Sequence, residues 1–305
     1  MPIRMLAVWA MWGLIWPFCL AQTDELKPKV SCGSLVRLER FPSAFVDARH
    51  VDIWLPAGYD TAIRYPVLYM HDGQMLFDSS IAWKGQEWGV DEVLCDLNAR
   101  NLLKKCIVVG IWNNGDKRPA EFFPQKAMQY LDEKGRKALA TRTNDQPLAD
   151  QYLKFIVSEL KPVIDQRFAT LPEATNTFVA GSSMGGLISM YAVCEYPDVF
   201  GAAACLSTHW PVLFYNKNNP IPAAILAYLK RNLPPPKNNR FYFDYGTENL
   251  DVLYAVWQKK VDKLMCRKKY RKKNWKTLEF PGASHTPIDW NKRLHVPMAF
   301  LLKPN

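Results

Sequence analysis

This sequence predicts an α/β fold, a mostly parallel central sheet with helices on both faces, on three observations. Short apolar runs alternate with longer stretches of helical spacing along nearly the whole chain, the order that builds strand–helix–strand units. Several of those runs carry no polar alternation, as expected of strands covered on both faces. Finally, 305 residues with 49% hydrophobic and 22% charged content permit a large core and exclude disordered, collagen-like and coiled-coil chains.

The first 21 residues read as an export signal rather than as part of the fold. Arg4 precedes an apolar run from Met5 to Trp16, and Cys19-Leu20-Ala21 supplies small residues for cleavage after Ala21. The uncharged stretch barely reaches spanning length, so a mature protein without a membrane span, periplasmic or extracellular, is expected. Residues 22–305 then form one domain.

Strands are expected at 34–40, at 50–55 (stopped by Pro56-Ala57-Gly58) and at 66–70. Trp88, Val90, Val93, Leu94, Leu97 and Leu102 give 83–103 helical spacing, and 106–111 is the next buried strand. Tyr152, Phe155, Ile156, Leu160 and Ile164 mark the inner face of a helix over 148–168. Strand 178–180, helix 184–195 and strand 201–206 follow, then strand 240–245, helix 251–270, strand 275–280 and helix 290–302. Two polar excursions, 113–147 and 208–239, leave the carboxyl ends of strands, where open α/β sheets bind ligands. They are expected to be lid-like insertions walling one mouth.

Gly181-Ser182-Ser183-Met184-Gly185-Gly186 matches G-x-S-x-G between a strand and a helix. The small neighbours allow a sharp turn that exposes the Ser183 hydroxyl at a helix N-terminus, where negative charge is favoured. Such a serine needs a histidine base held by a carboxylate, in the chain order Ser, acid, His. Of five histidines, His50 and His71 precede Ser183, His295 lies in the last helix, and His209 comes before any suitable acid loop. His285, in the loop after the last strand, is the expected base. Glu248 and Asp251 both follow the strand ending at Gly246. Asp251 has a competing role as a helix-start cap and Glu248 has none, so Glu248 is placed slightly ahead. The oxyanion hole needs backbone donors after the nucleophile and from an earlier loop, expected at Met184 and at Gln74 in His71-Asp72-Gly73-Gln74, where Gly73 would let the backbone approach closely.

The run from His71 to Asp78, then Val109-Gly110-Ile111-Trp112-Asn113 with Arg118 and Glu121-Phe122-Phe123-Pro124, and the turn Gly181–Gly186 resemble the esterase family of α/β-hydrolases. That family holds the feruloyl and acetyl-xylan esterases, the enterochelin esterases, S-formylglutathione hydrolase and the mycolyltransferase antigens. The resemblance spans about residues 34–302 and implies Ser183 as nucleophile, His285 as base and donors near Gln74 and Met184. It departs at Met75, where Asn is usual, and at Asn249, where several relatives carry the triad acid.

The expected activity is a secreted serine carboxylic ester hydrolase acting on carbohydrate-linked feruloyl or acetyl esters through an acyl-enzyme. Asp72, Trp112, His209 and Trp210 are the candidate substrate contacts. Phe122, Phe123, Tyr130, Phe214 and Tyr215 also fall on the excursions, as platforms or, more simply, as a lid core. Alternatives are a siderophore (enterochelin-type) esterase, acyl transfer by the same intermediate, and a non-catalytic carbohydrate-binding relic. Neither a C-x-x-C pair nor an H-E-x-x-H motif occurs, so no metal or other cofactor is expected. Ten of the cations that give the chain its +10 charge lie between Lys259 and Lys276. So local a patch argues against a nucleic-acid partner and reads as a solvated face opposite the mouth, or as an attachment to anionic polymers. The six cysteines after Ala21 leave pairing open, as the sequence leaves oligomeric state open.

Overall fold

The computed structural model describes residues 27–143, 146–213 and 218–303; the predicted export signal, Phe214 and Tyr215 lie outside them. Eight strands form one sheet in the order β1-β2-β4-β3-β5-β6-β7-β8. They are β1 (Ser34–Phe41), β2 (Arg49–Leu55), β3 (Val67–His71), β4 (Ile107–Ile111), β5 (Thr177–Ser182), β6 (Ala202–Leu206), β7 (Arg240–Gly246) and β8 (Trp275–Phe280). β2 runs antiparallel to both β1 and β4, and every other pair is parallel. This is the α/β-hydrolase arrangement.

Side chains alternate between the two faces of the central strands. Val67 and Tyr69 of β3, Ile107 and Val109 of β4, and Phe241 and Phe243 of β7 pack in one apolar cluster. Leu68, Met70, Val108 and Tyr242 pack in the other. Covering the second face are α1 (Val90–Ala99) and the closing pair α9 (Pro287–Arg293) and α10 (His295–Leu301). Against the first lie α2 (Arg118–Phe122), α3 (Glu133–Thr143), α4 (Ala149–Phe155), α5 (Lys161–Arg167), α6 (Met184–Glu195), α7 (Ile221–Asn232) and α8 (Ala255–Arg267). α6 is buried along nearly its whole length; each large apolar side chain it contributes is worth about 2 kcal/mol.

Several elements differ from the pattern read in the sequence. The expected helix over 83–103 is helical in α form only at Val90–Ala99. Gly85 and Gly89 adopt φ +65 and +56, and Asn101, at φ 54, ends the helix at its other side. The helix over 148–168 is continuous but widens into a π turn at Ile156–Leu160, where Pro162 lacks the N–H needed for regular bonding. The closing helix is two pieces, broken before Pro297. Both excursions hold helices, including α7, which carries Pro222 in its first turn and is preceded by Asn219, whose side chain accepts the Ile221 N–H at 3.0 Å. The first excursion is pinned to the sheet by a buried two-point ion pair, Arg49 to Glu121, at 2.8 and 2.6 Å.

Cys32 and Cys95 form a disulfide that ties the segment before β1 to α1. Cys106, Cys194 and Cys205 are free and buried, and Cys266 is free and exposed. Among the described residues no helix is long and apolar enough to cross a membrane.

Candidate active site

β5 delivers its chain into α6 through Ser183, held at φ 57, ψ −121. This conformation costs a non-glycine residue about 1–3 kcal/mol and is maintained by the surrounding backbone. The Ser183 N–H donates to the Leu206 carbonyl at 2.9 Å, while the Ser183 carbonyl accepts from Gly186 and His209 N–H groups, each at 3.1 Å. A Cβ at Gly181 would lie 2.8 Å from the Gly185 backbone, so the turn closes only with glycine there. Met184 begins α6, and its N–H has no partner within the helix.

The loop after β3 packs against this turn. A Cβ at Gly185 would meet the Asp72 carboxylate at 3.4 Å and the His71 Cβ at 3.6 Å. Asp72, not Gly73, takes the left-handed conformation, at φ 59. Gly73 is needed for room: a side chain would strike the Gly110 carbonyl at 2.6 Å. The Gln74 side chain accepts the Asn113 N–H at 3.1 Å, which ties the oxyanion-loop candidate to the end of β4. The Asp72 carboxylate accepts from Arg118 at 2.6 and 2.7 Å and from Asn113 Nδ2 at 2.7 Å. Burial alone would raise its pKa, but the guanidinium outweighs it and holds the carboxyl below its ordinary range. Asp72 is thus a brace for its loop, with its oxygens already engaged.

His285 Nδ1 meets Asp251 Oδ1 at 2.6 Å. Asp251 is fully buried, and its other oxygen accepts from the Gly246 N–H at 2.7 Å and the Ser207 hydroxyl at 2.5 Å. With these donors committed to the carboxylate, Nδ1 is the protonated nitrogen of the imidazole and Nε2 carries the lone pair. Glu248, placed slightly ahead in the sequence reading, is exposed. It precedes the 3₁₀ turn Asn249–Leu253 without capping it through its side chain. Asp251 lies inside that turn and spends its carboxylate on His285 rather than on a helix start.

A layer beneath Asp251 had no local sequence signal. The buried Arg293 guanidinium donates to the Ser207 hydroxyl at 2.7 Å and to Asp244 at 3.1 Å, and stands 3.9 Å from Asp251. Burial raises the Asp244 pKa against the pull of Arg293. Trp290 donates to the Ser207 oxygen at 3.0 Å, and its ring meets the His285 ring edge-on at 5.0 Å. Ser207, Asp244, Trp290 and Arg293 come from three separate segments, so no spacing rule unites them.

His209 is buried beside the Ser183 turn, its Nδ1 2.7 Å from the Tyr254 hydroxyl and its ring 6.5 Å from that of His285. Burial lowers its pKa to about 3, with the nearby His285 adding to the effect. The Tyr254 phenol is pushed up by burial and by the nearby Asp251 charge, opposed by its hydrogen bond with the Ser183 side chain. The histidine loop, Tyr254, His209 and Ser183 thus form one neighbourhood. The other expected contacts are otherwise engaged. Trp112 donates to Asp52 at 2.7 Å under the Arg37 guanidinium, and buried Trp210 donates to Gln258 at 3.2 Å. Phe122 and Phe123 are wholly buried, part of the core that the first excursion shares with the sheet.

Residues 43–301 match the family described as "Putative esterase". An uncharacterized protein, YbbA, of Bacillus subtilis (strain 168) is 27% identical over 164 residues, 53% of this chain and 58% of that protein. The match therefore spans little more than half of that curated relative. Among solved structures, the enterobactin esterase FES from Shigella flexneri, in the presence of enterobactin, superposes with TM-score 0.65 at 18% identity, covering 90% of this chain and 60% of that one. The feruloyl esterase module from Clostridium thermocellum, an S954A mutant complexed with sinapinate, gives 0.61 at 16% identity, covering 90% and 89%. At such identities the two structures establish the shared fold.

Proposed function

We propose that this chain, which belongs to the "Putative esterase" family, is a carboxylic ester hydrolase that works through Ser183, His285 and Asp251 on carbohydrate-linked feruloyl or acetyl esters outside the cytoplasm. The observation that carries the triad is the 2.6 Å contact between buried Asp251 and His285, beside a serine held in a strained turn at the head of α6.

In this reading His285 Nε2 takes the Ser183 proton as the oxygen attacks the ester carbonyl. The N–H groups of Met184 and Gln74 stabilise the oxyanion, and the brace of Asp72 by Arg118 and Asn113 keeps the second donor's loop in place. Protonated His285, stabilised by Asp251, then gives its proton to the leaving alcohol, and water repeats the sequence on the acyl-enzyme. The buried Asp251–His285 pair argues against a binding relic. Export draws support from the Cys32–Cys95 disulfide, a bond that persists in oxidising compartments. Phenolic acyl groups are suggested by the feruloyl esterase module.

Hydrolysis of p-nitrophenyl acetate, methyl ferulate and a catecholate siderophore ester, measured beside Ser183→Ala, tests the proposal. Turnover of methyl ferulate or of the acetate that vanishes in the variant supports it. Preference for the siderophore ester redirects the substrate, and turnover that survives in Ser183→Ala refutes the mechanism.

A further inference from the structure

A concave surface lies away from the Ser183 turn. An open groove of about 1710 Å³ runs along the flank of the sheet, between α1, the α9–α10 pair and the free edge of β8. It begins at Asn291 and Lys292 of α9, the helix that follows the His285 loop, and reaches Lys272 and Lys273 before β8. Its volume exceeds the roughly 300–1,000 Å³ of a small-molecule pocket, so an extended ligand fits it better than a compact one.

Its chemistry is cationic but mixed. Lys272, Lys273, Lys276 and Lys303 are exposed along it, and Arg240 lies at its base, bonded to the carbonyls of Phe300 and Leu301. Leu278, Val296 and Phe300 give an apolar floor. Glu92, Asp96 and Asp262 stand among the cations. A nucleic-acid duplex, with one negative charge for about every 1.7 Å of its axis, would be repelled by those carboxylates more strongly than a polymer whose charges lie further apart. An anionic membrane is met by a convex or flat apolar face, not by a concave groove. A polymer carrying spaced carboxylates and many hydroxyls satisfies both sets of groups: its carboxylates pair with the lysines, and its hydroxyls donate to the acidic side chains.

We propose that this groove binds an acidic, uronate-containing polysaccharide, holding the polymer along the flank that leads to the His285 loop. The proposal deepens the carbohydrate-ester reading and rests on it for the choice of polymer, but binding is measured without ester turnover, so the two fail separately.

The test is binding of fluorescently labelled polygalacturonate, followed by anisotropy, for the wild-type protein and a Lys272→Gln, Lys273→Gln, Lys276→Gln triple variant. Neutral arabinoxylan, double-stranded DNA and phosphatidylglycerol vesicles are the comparison ligands. Wild type is expected to bind polygalacturonate, to release it as salt rises from about 0.02 to 0.3 M, and to prefer it to all three comparisons. The triple variant should bind about tenfold more weakly while hydrolysing p-nitrophenyl acetate at the wild-type rate. Failure to bind, equal binding by the variant, or equal or tighter binding to DNA or vesicles would overturn the proposal.

Discussion

Replacing Asp251 with Asn probes the site at the point where the sequence left two acids open. The substitution keeps the volume but removes the charge that faces His285 Nδ1 at 2.6 Å. An amide nitrogen must then face either the His285 side or the pocket formed by the Gly246 N–H and the Ser207 hydroxyl, both donors to the present carboxylate. If the amide NH₂ faces His285, the imidazole accepts at Nδ1, moves its proton to Nε2 and can no longer act as base. If it faces Gly246, a donor is buried against a donor, at a cost of about 1–3 kcal/mol. In serine hydrolases the tautomer change alone lowers kcat by about 10⁴-fold, or about 5.5 kcal/mol of transition-state stabilisation at 1.36 kcal/mol per tenfold. Steady-state hydrolysis of p-nitrophenyl acetate reads the loss, with near-UV circular dichroism and a urea titration confirming that the variant is folded. Glu248→Gln, on an exposed side chain, should stay within about twofold of wild type. A folded Asp251→Asn retaining more than about a tenth of wild-type kcat, or a comparable loss in Glu248→Gln, would refute the assignment.

Arg118→Met leaves the Asp72 carboxylate without its two-point partner. It should cost about 3 kcal/mol in urea unfolding and lower kcat more than it raises KM, because the loop proposed to supply an oxyanion donor loses its brace; unchanged values in both would contradict that role. The Cys32–Cys95 bond closes a span of 63 residues. The double Ser variant should lose about 4 kcal/mol by loop entropy, read as a lower urea midpoint, and a loss under about 1 kcal/mol would contradict it. His71 and His209 are both held near pKa 3 chiefly by burial. Between about pH 6.5 and 3 the unfolded chain binds protons that the folded one refuses. Stability from these two residues is therefore complete above pH 6.5 and is lost on acidification, by up to about 1.4 kcal/mol per pH unit for each histidine. Urea titrations from pH 7 to 4 should show this slope, and His71→Gln should reduce it.

All eight strands were legible: the central ones are short apolar runs closed by a turn residue and covered on both faces, while the edge strands β1 and β8 alternate apolar with charged or polar residues. The Ser183 turn was legible because its glycines are needed by sterics that act within a few residues. His285, the proposed base, could be picked out by elimination. The choice between Glu248 and Asp251 could not, since it depends on how the turn after Gly246 aims two carboxylates lying three residues apart, and only the buried one meets the histidine. Asp72 shows the same limit: it sits in a recognisable loop, yet its engagement by Arg118 depends on how the first excursion folds back. The supporting layer of Ser207, Asp244 and Arg293 exists only once β6, β7 and α9 are assembled. Helix ends were misread where left-handed glycines or a proline interrupt an apolar period, as at Gly85, Gly89 and Pro297.

Covalent trapping of the nucleophile tests the central claim most directly. The protein is treated with a fluorophosphonate, and the site of the adduct is mapped by peptide mass spectrometry. The account predicts one adduct, on Ser183, absent in Ser183→Ala and formed far more slowly in Asp251→Asn but not in Glu248→Gln. An adduct on another residue, or ester turnover by a protein that Ser183 labelling leaves fully active, would contradict it.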